Sequence, residues 1–321
     1  MTWVEELRAR EAVFRRAPSA HNTQPWVVSY AANEVRIGVD PARSLPVSDP
    51  TGRDLELGLG AFVESCLVVA ADAGLAVDAV SDGPRAVRLV SDGPRAVRLV
   101  GADAVYRTVF TAADLDGRRV ARGSYVPGPV PQDVLADLES GLVHLPAREL
   151  AADLAAADRW MFGTRGSVDE LREWLRLRPG HPRYDRDGLT DRALALSRVE
   201  ARLLDAALRS LAVTRRLGVP ALLAASGRGL LRGDGSVLVL TGPAREDRVT
   251  AGRRLLRTWL VLARHGLAVH PLSQLLDCPA TADRVRQRVR AGGDEVEPLA
   301  VFRAGRPRTE PVRSARLPVG G

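Results

Sequence analysis

Asp54 to Leu75 is the stretch that leaves this chain the fewest choices. Polar positions across it are so sparse that a helix built from it has no face suited to water. Such a helix has to be central, wrapped by the rest of its fold. Gly58, Gly60, Ala61 and Ala70 punctuate it, and side chains this small let a second helix approach closely. No run of 18 or more uncharged apolar residues occurs anywhere, so no membrane span is expected.

Around this helix the sequence alternates short strands and helices. Thr2-Trp3-Val4-Glu5 is a capping box opening a helix expected to run to about Arg16, with Trp3, Leu7 and Phe14 on one face. Val27–Tyr30 and Glu34–Val39 read as strands joined by a turn at Ala31–Asn33. Residues 81–90 and 91–100 are identical copies of SDGPRAVRLV, each a turn followed by a short strand. Two copies are too few for a solenoid, so one is expected to supply a strand and the other a protruding hairpin. Further helices are expected from near Pro131, over Ala147–Trp160 and over Val168–Leu177, the last capped by Ser167 with Glu170. Residues 178–235 are rich in arginine and read as mostly helical, a lid or a helical insertion. Ser236–Thr241, Leu267–Pro271 and Leu299–Arg303 read as strands, Arg248–His265 and Ala282–Ala291 as helices. Short strands separated by helices, with an early hairpin, point to an α+β fold with a mixed sheet flanked by helices.

The chemistry-bearing residues are concentrated in a bend, Ala17-Pro18-Ser19-Ala20-His21-Asn22-Thr23-Gln24-Pro25-Trp26. Pro18 and Pro25 fix φ and disfavour helix just before them, so the run is rigid and irregular. It offers a hydroxyl, two amides and an imidazole, the kind of loop on which binding groups tend to sit. An ordinary turn anchored by a buried Trp26 would need the same residue types.

Composition narrows the remaining classes. The net charge is +7, but all 46 basic residues are arginine and they are interleaved with 39 acids. Neither a basic face with stacking aromatics nor a nucleic-acid-binding motif is present, so no nucleic-acid partner is expected. Cys66 and Cys278 lie far apart without metal-ligand spacing, and Cys66 sits in the apolar run as a buried thiol. With a charged, helical N-terminus, a cytoplasmic location is expected. HExxH, CxxC, GxSxG and Gly-rich phosphate loops are all missing, so no metal site and no catalytic side chain is identified. Arginine clusters and polar bends without a catalytic set suggest that a bound cofactor does the chemistry.

Three separated stretches then share one resemblance. Pro18-Ser19-Ala20-His21-Asn22-Thr23-Gln24-Pro25-Trp26 resembles the PS-x-x-N-x-QPW signature of FMN-dependent nitroreductases. Arg118-Arg119-Val120-Ala121-Arg122 resembles their RR-S-x-R element, and Arg313-Ser314-Ala315-Arg316-Leu317-Pro318 their C-terminal tail. With Asp49-Pro50-Thr51-Gly52-Arg53 before the long helix, the chain resembles the Acg-type branch, in which two nitroreductase-like halves are fused as a pseudo-dimer. The halves would be residues 1–110 and 111–321.

The resemblance implies FMN as cofactor, with NAD(P)H or an organic molecule as hydride donor. Arg118, Arg119 and Arg316 would clamp its phosphate, and Arg122 would lie near the flavin N1–C2 edge. Pro18, Ser19, Asn22 and Gln24 would line the isoalloxazine, and Ser273 and Gln274 would face N5. Val120 replaces the family's serine, and Ser273 stands where an acidic residue is common. The implied activity is two-electron reduction of a nitro group, quinone or similar small molecule, or biosynthetic dehydrogenation of one. The alternatives are an FMN-binding or flavin-sequestering protein with little turnover, and a basic interaction protein without cofactor. A homodimer is compatible with each.

Overall fold

The structure is a computed structural model and describes residues 1–81, 96–209, 230, 231, 233, 235–290 and 296–319. It divides into two compact units that are not contiguous in sequence. Unit 1 comprises Met1–Arg118, Asp247–Leu260 and Arg316–Gly321, and unit 2 comprises Arg119–Glu246 and Val261–Ala315. The contiguous division at 110/111 expected from sequence therefore falls inside unit 1, which two later segments complete.

Unit 1 opens with the capping box as expected: Glu5 N–H donates to Thr2 Oγ1, and Thr2 N–H to Glu5 Oε2 at 2.8 Å. The expected single helix is instead two, α1 (Trp3–Arg8) and α2 (Glu11–Phe14). Arg10 leaves helical geometry between them while its Nη1 donates to Glu6 O. Strands β1 (Trp26–Tyr30) and β2 (Glu34–Val39) form the expected hairpin, and β2 alternates so that Val35, Ile37 and Val39 are buried. With β3 (Val77–Ser81) and β4 (Val97–Gly101) they make an antiparallel sheet in the order β1-β2-β4-β3. The second copy of the duplicated decapeptide supplies most of β4; residues 82–95, where the hairpin was expected, lie outside the described residues.

Helix α3 (Arg53–Asp72) is the long apolar segment, and every residue from Glu56 to Ala70 is buried. Phe62 stacks on Trp26 with ring centroids 4.6 Å apart and meets Phe14 edge-on at 5.6 Å. The expected close approach is made by Gly60. A Cβ there would overlap Val249 O, and one on Gly252 would overlap Leu57 O, so α3 crosses the next long helix backbone to backbone. That helix is α9 (Arg248–Arg264), whose part up to Leu260 belongs to unit 1. Glu64, fully buried, accepts from Arg253 Nε at 2.7 Å and from Tyr106 Oη at 2.8 Å, with Arg257 Nη1 at 3.2 Å. A buried carboxylate is tolerable only with partners of this kind. A further helix of unit 1 is α4 (Ala112–Gly117), with a capping box of its own between Thr111 and Asp114.

Unit 2 is built on a second antiparallel sheet, β5 (Leu142–Pro146), β8 (Ser236–Pro243), β10 (Val296–Gly305) and β9 (Ala268–Pro271), in the order β5-β8-β10-β9. Strand β5 was not expected. Helices α6 (Ala151–Gly163), α10 (Gln274–Asp277) and α11 (Pro279–Arg290) pack their apolar sides on it. Leu154, Ala157, Leu275, Val285 and Val289 join Val237, Val239 and Val301 in one core. Helix α5 (Gln132–Ala136) follows Pro131 as expected, and α7 (Arg165–Trp174) ends short of Leu177.

The expectation of helix from residue 178 is corrected for the described part. Residues 178–197 are mostly turns carrying a two-residue parallel ladder between β6 (Leu175–Arg176) and β7 (Leu189–Thr190), and helix begins only at α8 (Arg198–Arg209). The turns are held from within by Asp187, fully buried and paired with Arg176 at 2.9 Å and with Arg183. Residues 210–229, 232 and 234, the heart of the expected lid, lie outside the described residues.

Candidate cofactor site

The Pro18–Trp26 bend lies in unit 1. Ser19 is extended, Ala20–Asn22 form a single 3₁₀ turn, and His21, Asn22 and Gln24 have φ of 46°, 55° and 51°. Left-handed backbone costs about 1–2 kcal/mol for each such residue, so three in four positions must be held by their surroundings. The holding contacts are specific. Ser19 Oγ accepts from Gln24 N–H at 2.9 Å, and Arg43 Nε donates to Thr23 O at 2.6 Å. Asp40 N–H donates to Pro25 O, tying the end of the bend to the end of β2. Asn22, Thr23 and Gln24 are buried, while Pro18 and Ser19 are half-buried. Trp26 is core packing: it lies against Phe62 and Gly58.

Two of the implied phosphate arginines lie against this bend. Arg316 Nε donates to Arg15 O at 2.7 Å, its Nη2 to Arg16 O and Ala17 O, and its Nη1 to Asn22 Oδ1 at 2.9 Å. The next amide, Leu317 N–H, donates to Gln24 Oε1. Arg118, only 7% exposed, donates from Nη2 to Arg16 O, and its guanidinium stands 5.7 Å from the centre of the Trp259 ring. The structure thus brings Pro18, Ser19, Asn22, Gln24, Arg118 and Arg316 together.

The other implied residues lie in unit 2. Arg119, half-buried, lines an open groove of about 470 Å³ together with Tyr184, Thr190, Arg192, Glu310 and Arg313. Val120 makes a parallel bridge to Val269, and Ala121 N–H donates to Val269 O. This bridge extends the second sheet beyond β9. Arg122 follows, its Nη1 3.4 Å from Ala193 O, and desolvation lowers its guanidinium to about 10.

Three residues that sequence reasoning did not select complete this cationic region. Arg303 faces His270 in the β9–β10 register, donates to Leu230 O and Gly123 O, and lies 3.8 Å above the centre of the Tyr125 ring. His270 is held well below its ordinary value, by burial first and by the Arg122 and Arg303 charges next, so it is neutral at pH 7. Its Nδ1 is buried without a hydrogen-bond partner among the described residues. Burial first, eased by the Arg303 charge, pushes the Tyr125 hydroxyl to about 12. The alternation of β10 carried a signal for Arg303: a charge at a core-facing position of an apolar strand. Ser273 and Gln274 sit just past β9, where Ser273 O accepts from Leu276 N–H and Gln274 Nε2 donates to Asp158 Oδ1 at 3.2 Å. Burial raises the Asp158 carboxyl to about 6.

Among the described residues no group of His, Cys, Asp or Glu could hold a metal ion, and no helix is long and apolar enough to cross a membrane. Cys66 and Cys278 are free and buried, and burial pushes the Cys66 thiol well up.

No family model matches the chain. In sequence it is 26% identical over 298 residues to the Mycobacterium tuberculosis H37Rv protein named "Putative NAD(P)H nitroreductase Rv3131", covering 90% of this chain and 82% of that one. A shorter match, 34% over 74 residues, is to the protein of that species named "Putative NAD(P)H nitroreductase acg" and covers 23% of this chain and 22% of that one. Among solved structures, the FMN-dependent nitroreductase NfnB from Mycobacterium smegmatis, in complex with NADPH, is 19% identical over 61% of this chain and 86% of that one. Its TM-score is 0.35, a likeness on which nothing below rests.

Proposed function

We propose, from its kinship with the mycobacterial proteins named as nitroreductases, that this chain is an FMN-dependent oxidoreductase passing two electrons from NAD(P)H to a small-molecule acceptor. The observation that carries the reading is the extent of that kinship, which takes in nine-tenths of the chain. The bend and the arginine element are consistent with it.

The residues present suit such a cofactor. Arg119, Arg192 and Arg313 around one groove supply guanidinium forks for a phosphate monoester, for which planar donors are well matched. Arg122 and Arg303, partly desolvated and flanking a neutral His270, favour negative charge developing beside them. Bound FMN would supply the hydride-accepting and hydride-donating centre. His270 Nδ1, buried and without a partner among the described residues, could satisfy a polar edge of a bound ligand. The acceptor would be a nitro compound or a quinone; in the reverse, biosynthetic use a metabolite undergoing dehydrogenation would be the electron donor instead.

The reading is tested on purified protein reconstituted with FMN. A flavin spectrum bleached by anaerobic NADPH or NADH is the expected result. Tight flavin binding with no bleaching by either nucleotide would favour the sequestering alternative. Failure to take up FMN would sink the proposal.

A further inference from the structure

We propose that Arg316 is a positioning residue: it latches the Pro18–Trp26 bend into its left-handed shape and leaves any cofactor phosphate to other arginines. A guanidinium has five N–H groups. Four of those on Arg316 already aim at Arg15 O, Arg16 O, Ala17 O and Asn22 Oδ1. A bidentate phosphate fork needs two, so Arg316 could grip a phosphate only by giving up part of this set. The three carbonyls are consecutive and immediately precede Pro18, and the amide oxygen belongs to one of the left-handed residues. The contact therefore ties the chain leading into the bend to one of its left-handed residues.

Two further contacts reinforce it. Leu317 N–H fixes the Gln24 side chain, Gln24 being another left-handed residue. Arg118 Nη2 donates to the same Arg16 carbonyl that Arg316 uses. The bend's own amides read out its order, because Asn22 N–H and Thr23 N–H donate to Ser19 O and Ala20 O, and Gln24 N–H to Ser19 Oγ. The latch deepens the reading given above only where a flavin is involved; the contact itself is independent of it.

Hydrogen exchange on the flavin-free full chain, paired with flavin titration, tests the assignment. In Arg316→Ala the amides of Asn22, Thr23 and Gln24 should exchange at least tenfold faster, while those of Leu57–Ala70 keep the wild-type rate. FMN and riboflavin, which differ by the phosphate, should then lose affinity by the same factor. Unchanged exchange in the bend, or an affinity loss confined to FMN, would overturn the proposal. If Arg316→Ala speeds exchange everywhere, Arg316→Gln, which keeps two N–H donors, takes its place. It should give intermediate exchange confined to the bend, and wild-type exchange there would count against the latch. If the wild-type chain binds neither flavin, the function proposed above fails while the exchange result still decides the latch.

Discussion

Asp158 and Asp49 are carboxyl groups whose ionisation the fold opposes. Burial is the main cause for both and raises each to about 6, with Asp54 adding repulsion at Asp49. A carboxyl held above its unfolded value binds more protons folded than unfolded between about pH 4 and 6, so its contribution to stability falls as pH rises through that window. Two units correspond to at most about 3 kcal/mol per group. Asparagine keeps an oxygen to accept from Gln274 Nε2 at position 158 and from Leu55 N–H at position 49. Asp158→Asn and Asp49→Asn are therefore expected to raise the melting temperature at pH 7.5 by several degrees and to change it little at pH 4. Equal shifts at both pH values would refute the assignment. Nothing in the local sequence marks either group, because desolvation is imposed by packing partners. Asp158 and the Gln274 that donates to it are 116 residues apart.

At the scale of elements, the crossing of α3 and α9 is the contact most sensitive to volume. Gly→Ala in an exposed helix interior stabilises by about 1 kcal/mol through backbone entropy. At Gly60 or Gly252 the added methyl meets backbone, which cannot rotate away. Gly252→Ala and Gly60→Ala are expected to lose about 2 kcal/mol or more in chemical denaturation. Gly163→Ala, with nothing within 4 Å of the added methyl, should be neutral or mildly stabilising. A stabilising Gly252→Ala would show that the helices can part at little cost.

Much at this scale was legible. The capping box, the β1–β2 hairpin, α3 with its small residues, and the strands around the VLVL and LAVF runs all follow from short-range pattern. Three features were not. Strand β5 is half-buried throughout and lacks alternation, so its residues carry no period. The break between α1 and α2 depends on where one arginine side chain points. The turns at 178–197 are organised by two buried aspartates, Asp187 and Asp191, which composition reads as helix-compatible charge. The candidate site divides the same way. Its bend was visible as residue types, but the partner of Asn22 lies 294 residues away. The groove arginines Arg192 and Arg313 and the Arg303–His270 pair depend likewise on the fold to converge.

For the whole molecule, what matters is that unit 1 is assembled from three segments. Residues 1–118 contain β1–β4 and α3, but not the Gly252 face, nor Arg253 and Arg257 that neutralise Glu64, nor Arg316. Expressed alone, that fragment would leave an apolar helix face and a buried carboxylate uncovered. It is expected to show no cooperative thermal transition by circular dichroism; a sharp one would mean that the later segments are dispensable.

The discontinuity also sets a timetable for synthesis. A ribosome adding about 5–20 residues per second delivers Arg316 roughly ten to forty seconds after Arg118. For the first part of that interval, until α9 is made, the long apolar helix α3 is present but not yet covered by its partner. Nascent chains of this sequence should therefore engage hold-type chaperones early, and release should follow the emergence of α9 and the tail.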